Sequence, residues 1–263
     1  MSRSRAGWLA VLLGAGCASA LKEPPPIAAL QRQPTGSAPA AELLAEAEQE
    51  YARRPDKDAV RRAEGLCLAA ASADEAGTAG LVCAIRAKSW LGEREQDTGV
   101  RKELAVSGVQ AGQWCLRRAP EAAECKFWLA VALGMQARDR PTTVEDSLKR
   151  MAQLLREVER DAPLLDNAGP SRVLAILLLR APGWPIGPGD VEEALVHARK
   201  AVELAPGYPP NHLALAEALI RNDDRTRAGE AIGRALELAG KAPWIDDPDA
   251  ADWVAEGRRL IGR

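Results

Sequence analysis

The sequence predicts an all-α protein: an α-solenoid of about five helical hairpins followed by a C-terminal helix. Three observations predict it. The 263 residues include 51 Ala against 28 Val, Ile and Thr together, and Ala is the best helix former while β-branched residues favour strands. Only 10 residues are aromatic, so the helices are thin and pack closely. The segment AVELAP (201–206) recurs 34 residues later as ALELAG (235–240), and a period of that length marks stacked helical hairpins.

The repeat places the elements. Ala216, Ala228 and Ala235 stand at positions 8, 20 and 27 of a unit beginning at Pro209, with Leu215 and Leu219 at positions 7 and 11. Small residues at those three positions are the tetratricopeptide signature; they let two antiparallel helices approach while the larger residues fill the groove to the next hairpin. Pro120, Pro163 and Pro206 are spaced 43 apart, which extends the register backwards as a 34-residue unit with longer inserts. The hairpins are therefore expected at 41–72, 78–119, 122–162, 170–205 and 209–240, with a last helix at 249–261 whose polar outer face closes the stack. One insert, RDRPTTVED (138–146), separates the helices of the third unit. The other, RAPGWPIGPGD (180–190), is too rich in Pro and Gly for helix and specifies a fixed loop, after which Asp190 caps the next helix.

The N-terminus bears on compartment. Arg3 and Arg5 precede a short apolar run, Trp8 to Gly16, and then Cys17. This is the pattern of a secretory signal, too short to span a bilayer. Two cleavage readings compete: a lipobox ending at Gly16-Cys17, which makes Cys17 an acylated N-terminus, and an ordinary signal-peptidase site at Ala18-Ser19-Ala20. Residues 1–17 are thus expected as signal and lipidation site, and the Pro-rich stretch 18–40 as a disordered tether to the helical domain 41–263. Export also suits the cysteines. Cys115 and Cys125 flank Pro120 symmetrically, and Cys67 and Cys83 are centred on the turn-like stretch ASADEAGT. Of three connectivities the pairing Cys67–Cys83 and Cys115–Cys125 is expected; the alternative is four buried thiols in helix contacts.

Composition excludes several functions. A formal charge of −2 gives no basic surface for nucleic acid. Two His leave little for a metal or acid–base site, and no Ser/His/Asp or Cys/His set can be assembled, so no catalytic residue, cofactor or metal is expected and the chain is read as a non-enzyme. The GxG pieces at 14–16 and 187–189 do not follow a strand, so they are not dinucleotide sites. Asp246-Asp247-Pro248-Asp249 lacks the Gly and terminal Glu of a calcium loop and reads as a helix cap. His197, between Glu193 and Lys200 on one helix face, reads as solvated.

From about Phe127 to Glu217 the sequence resembles the T-component (TatT) family, tetratricopeptide-like lipoproteins linked to TRAP transporters. The residues that carry the likeness are Phe127-Trp128-Leu129-Ala130, Leu133-Gly134, Gly169-Pro170 and Arg172-Val173-Leu174. Ala181-Pro182-Gly183-Trp184-Pro185, Gly187-Pro188-Gly189-Asp190, Ala205-Pro206, Tyr208-Pro209 and Asn211-His212-Leu213 complete it. Ser171 departs from the family's Tyr. The resemblance implies a periplasmic, lipid-anchored homo-oligomer, a trimer in the family, that docks a periplasmic solute-binding protein and passes a small hydrophobic ligand through a cleft. Candidate cleft residues are Trp128, Arg172, Trp184, Asn211 and His212. Each has a plainer alternative: the tryptophans fill core, Asn211 is a cap or turn residue, His212 makes an ordinary polar contact, and Arg172 pairs with a neighbouring helix. The runner-up reading is a scaffold for envelope assembly that holds a peptide or partner domain. Transport expects a closed apolar tunnel, and a scaffold expects an open polar groove.

Overall fold

The computed structural model describes residue 19 and residues 21–30 and 38–262. Cys17 and the signal segment lie outside the described residues, as do 31–37 of the tether. Five antiparallel hairpins follow one another: α1 (Ala40–Tyr51) with α2 (Lys57–Ala73), α3 (Ala79–Arg94) with α4 (Thr98–Arg118), α5 (Ala123–Asp139) with α6 (Val144–Asp161), α7 (Leu165–Arg180) with α8 (Val191–Leu204), and α9 (Pro209–Arg221) with α10 (Arg225–Ala239). A last helix, α11 (Ala250–Ile261), packs on α9 and α10. Among the described residues there is no strand.

The small residues set the spacing. Ala216, Ala228 and Ala235 are all buried in the core of the last hairpin, with Leu213, Leu219 and Ile232 around them. A β-carbon on Gly80 would stand 2.5 Å from the Ala71 nitrogen and 2.7 Å from the Cys67 carbonyl oxygen, so glycine alone permits α2 and α3 to cross there. The disulfides clamp successive hairpins at such approaches: Cys67 of α2 is bonded to Cys83 of α3 with Cα atoms 5.5 Å apart, and Cys115 of α4 to Cys125 of α5 at 5.4 Å. Both are the pairs expected from their symmetry about the turns.

Two recurring devices order the stack. Four outer helices begin on an aspartate whose carboxylate accepts from backbone N–H groups of the first turn: Asp56 on α2, Asp97 on α4, Asp190 on α8 and Asp224 on α10. Such a cap contributes about 1 kcal/mol. Four inner helices carry an arginine in the last turn, Arg94, Arg138, Arg180 and Arg221, which suits the negative end of the helix dipole. Two of them reach back to the last turn of the preceding inner helix, Arg138 to the Gly92 carbonyl and Arg221 to the Leu179 carbonyl, each at 2.8 Å.

Successive odd-numbered helices touch one another, whereas successive even-numbered helices do not. The stack therefore curves, with α1, α3, α5, α7, α9 and α11 on the inside. Residues 21–30 lie in the stretch expected as a disordered tether, but they are docked on the outer helices. Trp114 Nε1 donates to the Pro25 carbonyl at 2.7 Å, Gln113 Nε2 to the Lys22 carbonyl at 2.8 Å, and Leu30 is buried beside α2 and α4. Prolines dominate the composition there, yet Leu21, Ile27 and Leu30 supply enough apolar surface to pack on the main core.

The start of α7 breaks the helical rule. Asp166, Asn167 and Ala168 have φ of 51°, 54° and 62°, a left-handed turn before the right-handed helix resumes. Such residues cost about 1–3 kcal/mol each and persist only where their surroundings hold them.

Candidate functional site

Two of the five candidate cleft residues, Arg172 and Asn211, gather around that left-handed turn, inside the protein. Arg172 Nη1 donates to the carbonyls of Asp166 (3.2 Å) and Asn167 (3.1 Å) and to Asn211 Oδ1 (3.0 Å), and Nη2 pairs with the Asp166 carboxylate at 2.6 Å. Asn211 is fully buried, and its Nδ2 faces the carbonyls of Asn167, Ala201 and Ala205, each at 3.0 Å. It thus closes the C-terminal end of α8 from within α9 and does not cap its own helix. The Arg172 guanidinium also lies 5.0 Å from the Tyr208 ring centroid, and burial pushes the Tyr208 hydroxyl up to about 12. His212 Nε2 is 2.7 Å from the Pro206 carbonyl, which makes Nε2 the protonated nitrogen; burial lowers its pKa. Arg172 and Asn211 spend their polar groups on backbone and on one another, so they are a clamp for strained backbone.

The tryptophans are elsewhere. Trp128 stands edge-on to Phe127 at 5.2 Å against the main core. Trp184 is 90% exposed at the tip of the α7–α8 loop, neither core nor cleft. The loop is fixed, as expected. Gly189 N–H donates to the Pro182 carbonyl at 2.8 Å, Asp190 N–H to the Leu178 carbonyl at 3.0 Å, and a β-carbon on Gly189 would meet the Ala181 oxygen at 2.2 Å. Those bonds turn Trp184 and Ile186 outward.

A second polar cluster joins α6, α7 and α8. Glu159 Oε1 accepts from Ser171 Oγ at 2.7 Å and sits 2.8 Å from His197 Nδ1, and Lys200 Nζ reaches Oε2 at 3.1 Å. His197 is half-buried here and not solvated; sequence reading saw its neighbours on α8 but not the partner on α6. Burial raises the Glu159 carboxyl, but hydrogen bonds from His197 and Ser171 and the charges of His197 and Lys200 outweigh it and hold the group at about 2. An unfolded glutamate titrates near 4.3. The cluster therefore stabilises the fold fully above that value, and the contribution disappears as pH falls from about 5 to about 2. Urea unfolding of the wild type and Glu159→Gln is expected to differ by about 2 kcal/mol near pH 6, allowing for water around Lys200, and to converge by about pH 2.

An open cleft lies between α3 and the start of α11. On α3, Trp90, Glu93 and Arg94 share one face at i, i+3 and i+4; on the last segment, Asp249, Asp252, Trp253 and Glu256 share another at i, i+3, i+4 and i+7. Together with Leu213 of α9 they line an open cleft of about 400 Å³. Trp90 Nε1 donates to Asp249 Oδ1 at 2.8 Å, Arg94 Nη2 reaches the same oxygen at 3.1 Å and also pairs with Asp252, and Arg54 pairs with Asp249 Oδ2 at 3.4 Å. Asp249 thus stands at the start of α11 without capping it; its carboxylate links residues 159 positions apart. The last helix was expected to close the stack with a polar outer face, but its acidic stripe looks into this cleft. Its i, i+3, i+4, i+7 pattern was available in the sequence, but its direction was not.

Residues 186–252 match the tetratricopeptide-repeat family model. The crystal structure of TTC0263, a thermophilic TPR protein from Thermus thermophilus, superposes with a TM-score of 0.64 at 18% identity, covering 85% of this chain and 100% of that one. The stack is a tetratricopeptide-type solenoid. MamA (41-end) of Desulfovibrio magneticus follows the solenoid with a TM-score of 0.50 at 18% identity, over 79% of this chain and 99% of that one. No curated protein matches the chain. In the solenoid the matched region comprises the end of the α7–α8 loop, α8 to α10 and the first turn of α11.

Proposed function

We propose that this chain is a protein-interaction scaffold that holds a partner polypeptide on its concave face. The observation that carries this reading is the open, charged cleft between α3 and α11. A groove with carboxylates and a guanidinium exposed along it suits polar peptide contacts, and a stacked-hairpin solenoid presents such a surface on its inner helices. A photocrosslinking residue placed at position 253, inside the cleft, is expected to yield polypeptide adducts. The same residue at position 196, exposed on the outer helix α8, is expected to yield none. Equal labelling at both positions, or none at either, would overturn the reading.

A narrower reading makes the partner the solute receptor of a TRAP-type transporter and places the chain in the periplasm on a lipid anchor. Its support is the likeness of the Ala181–Pro185 and Gly187–Asp190 loop, the signal-like segment ending at Cys17, and cysteines placed to form disulfides. The ligand-carrying part of that reading needs a closed apolar passage. The cleft is open and carries Glu93, Arg94, Asp249, Asp252 and Glu256, so docking, not solute passage, is the role put forward.

A further inference from the structure

We propose that the α7–α8 loop is a membrane-contact tip, with Trp184 and Ile186 entering the headgroup layer of the lipid surface that carries the chain. This rests on the lipid-anchor part of the narrower reading and adds a second point of contact to it.

The tip is apolar and stiff. Trp184 is 90% exposed and Ile186 66%, and no charged side chain occurs from Ala181 to Gly189. The charges at its base are already engaged: Arg180 pairs with Glu217 at 2.7 Å, and Asp190 accepts from the Glu193 N–H at 2.9 Å. Contact with lipid therefore draws no bare charge out of water. Beneath the tip the N–H groups of Ile186 and Gly187 both donate to the Gly183 carbonyl at 3.1 Å. A backbone held in this way has little freedom to lose on contact. An indole on such a protrusion suits the boundary between headgroups and acyl chains, where its ring meets apolar matter and its N–H meets water.

Position selects lipid over protein. In a stack of antiparallel hairpins, the turns that join each inner helix to its outer partner lie along one edge. The α5–α6 and α7–α8 connections share that edge, since α5 and α7 are successive inner helices in contact. The docked N-terminal chain runs towards the same edge. Glu23 pairs with Arg117 in the last turn of α4, the Lys22 carbonyl meets Gln113, and Ser19 lines one pocket with Val106 of α4 and Arg140, just past the end of α5. Cys17 stands two residues before Ser19, within about 7 Å. An acylated Cys17 therefore brings this edge, and the tip one hairpin along it, to the lipid surface. The tip is also small for a protein interface. Trp184 and Ile186 offer at most about 400 Å², against about 800 Å² per partner in a stable complex. A fluid surface closes around a protrusion without needing a matched area, and one acyl chain gains most from a second, weak contact.

The test places a photocrosslinking residue at position 186 or at position 164 of the full chain, made in a bacterial host that exports it and acylates lipobox cysteines, with labelled palmitate to follow Cys17. Leu164 is the control: it is 63% exposed and precedes α7, at the opposite edge. Phospholipid adducts are expected at 186 and none at 164. In vesicles of phosphatidylcholine, replacing part of the lipid by its brominated form is expected to quench the indole fluorescence of the reconstituted chain, and Trp184→Phe is expected to lose most of that quenching. The proposal is overturned by polypeptide adducts at 186 in place of lipid, by equal lipid labelling at both positions, by no adduct at 186, or by quenching unchanged in Trp184→Phe. Palmitate incorporation without lipid adducts at 186 leaves the anchor standing and removes only the tip. Lipid adducts at 186 without palmitate keep the tip and remove the anchor.

Discussion

Lys88→Met is expected to cost about 4 kcal/mol in unfolding free energy. Lys88 of α3 and Glu64 of α2 form an ion pair between the first two hairpins, and their side chains are only 3% and 10% exposed. Removing one partner leaves the other charge buried and uncompensated, which typically costs 3–5 kcal/mol. Because desolvation of two charges nearly cancels their attraction, the double variant Lys88→Met/Glu64→Leu is expected to recover most of the loss. Urea titrations of the three variants under non-reducing conditions measure both effects. A single variant as stable as the wild type would show that water reaches the pair.

Gly80→Ala is expected to cost about 3 kcal/mol, although it adds a single methyl group. The new carbon would meet backbone atoms of Ala71 and Cys67 at 2.5–2.9 Å, and backbone in a disulfide-linked helix pair cannot step aside as a flexible side chain can. Gly65 is the control. It lies on the same α2, and a β-carbon there meets nothing within 4 Å. Gly65→Ala should therefore stabilise by up to about 1 kcal/mol through helix propensity. Opposite signs for the same chemical change would locate the hairpin contact. A small effect at Gly80 would mean that α2 and α3 slide past each other.

The hairpins were legible because their signals are local and repeated. The alanines at 216, 228 and 235 fix one unit, the prolines at 120, 163 and 206 extend it, and cysteines placed symmetrically about two turns fall opposite one another when the turns form. The cleft was not legible. Its walls come from α3 and α11, and their meeting depends on small rotations summed over the units between them, which no local pattern encodes. Arg172 and Asn211 were expected as cleft residues, but they are spent on a left-handed turn at 166–168 that only Asp and Asn hint at, and Ala168 not at all. His197 was misread for a similar reason: Glu159 faces it from another helix, 38 residues away. Trp184 shows the limit of composition, since the same Pro and Gly that fix its loop also decide, through individual hydrogen bonds, that the indole points to water.

The docked segment at residues 21–30 changes the length of a leash. A free stretch from Cys17 to the first helix would let the body roam up to about 75 Å from an anchoring point. With Leu21 packed on the core and Lys22 bonded to Gln113, three residues lie between Cys17 and the docked chain, a span of about 14 Å at most from Cys17 to Leu21. An acyl chain on Cys17 would therefore hold the α4 side of the solenoid close against the leaflet. Any polypeptide it gathers would have to be met in the layer of solvent next to the bilayer.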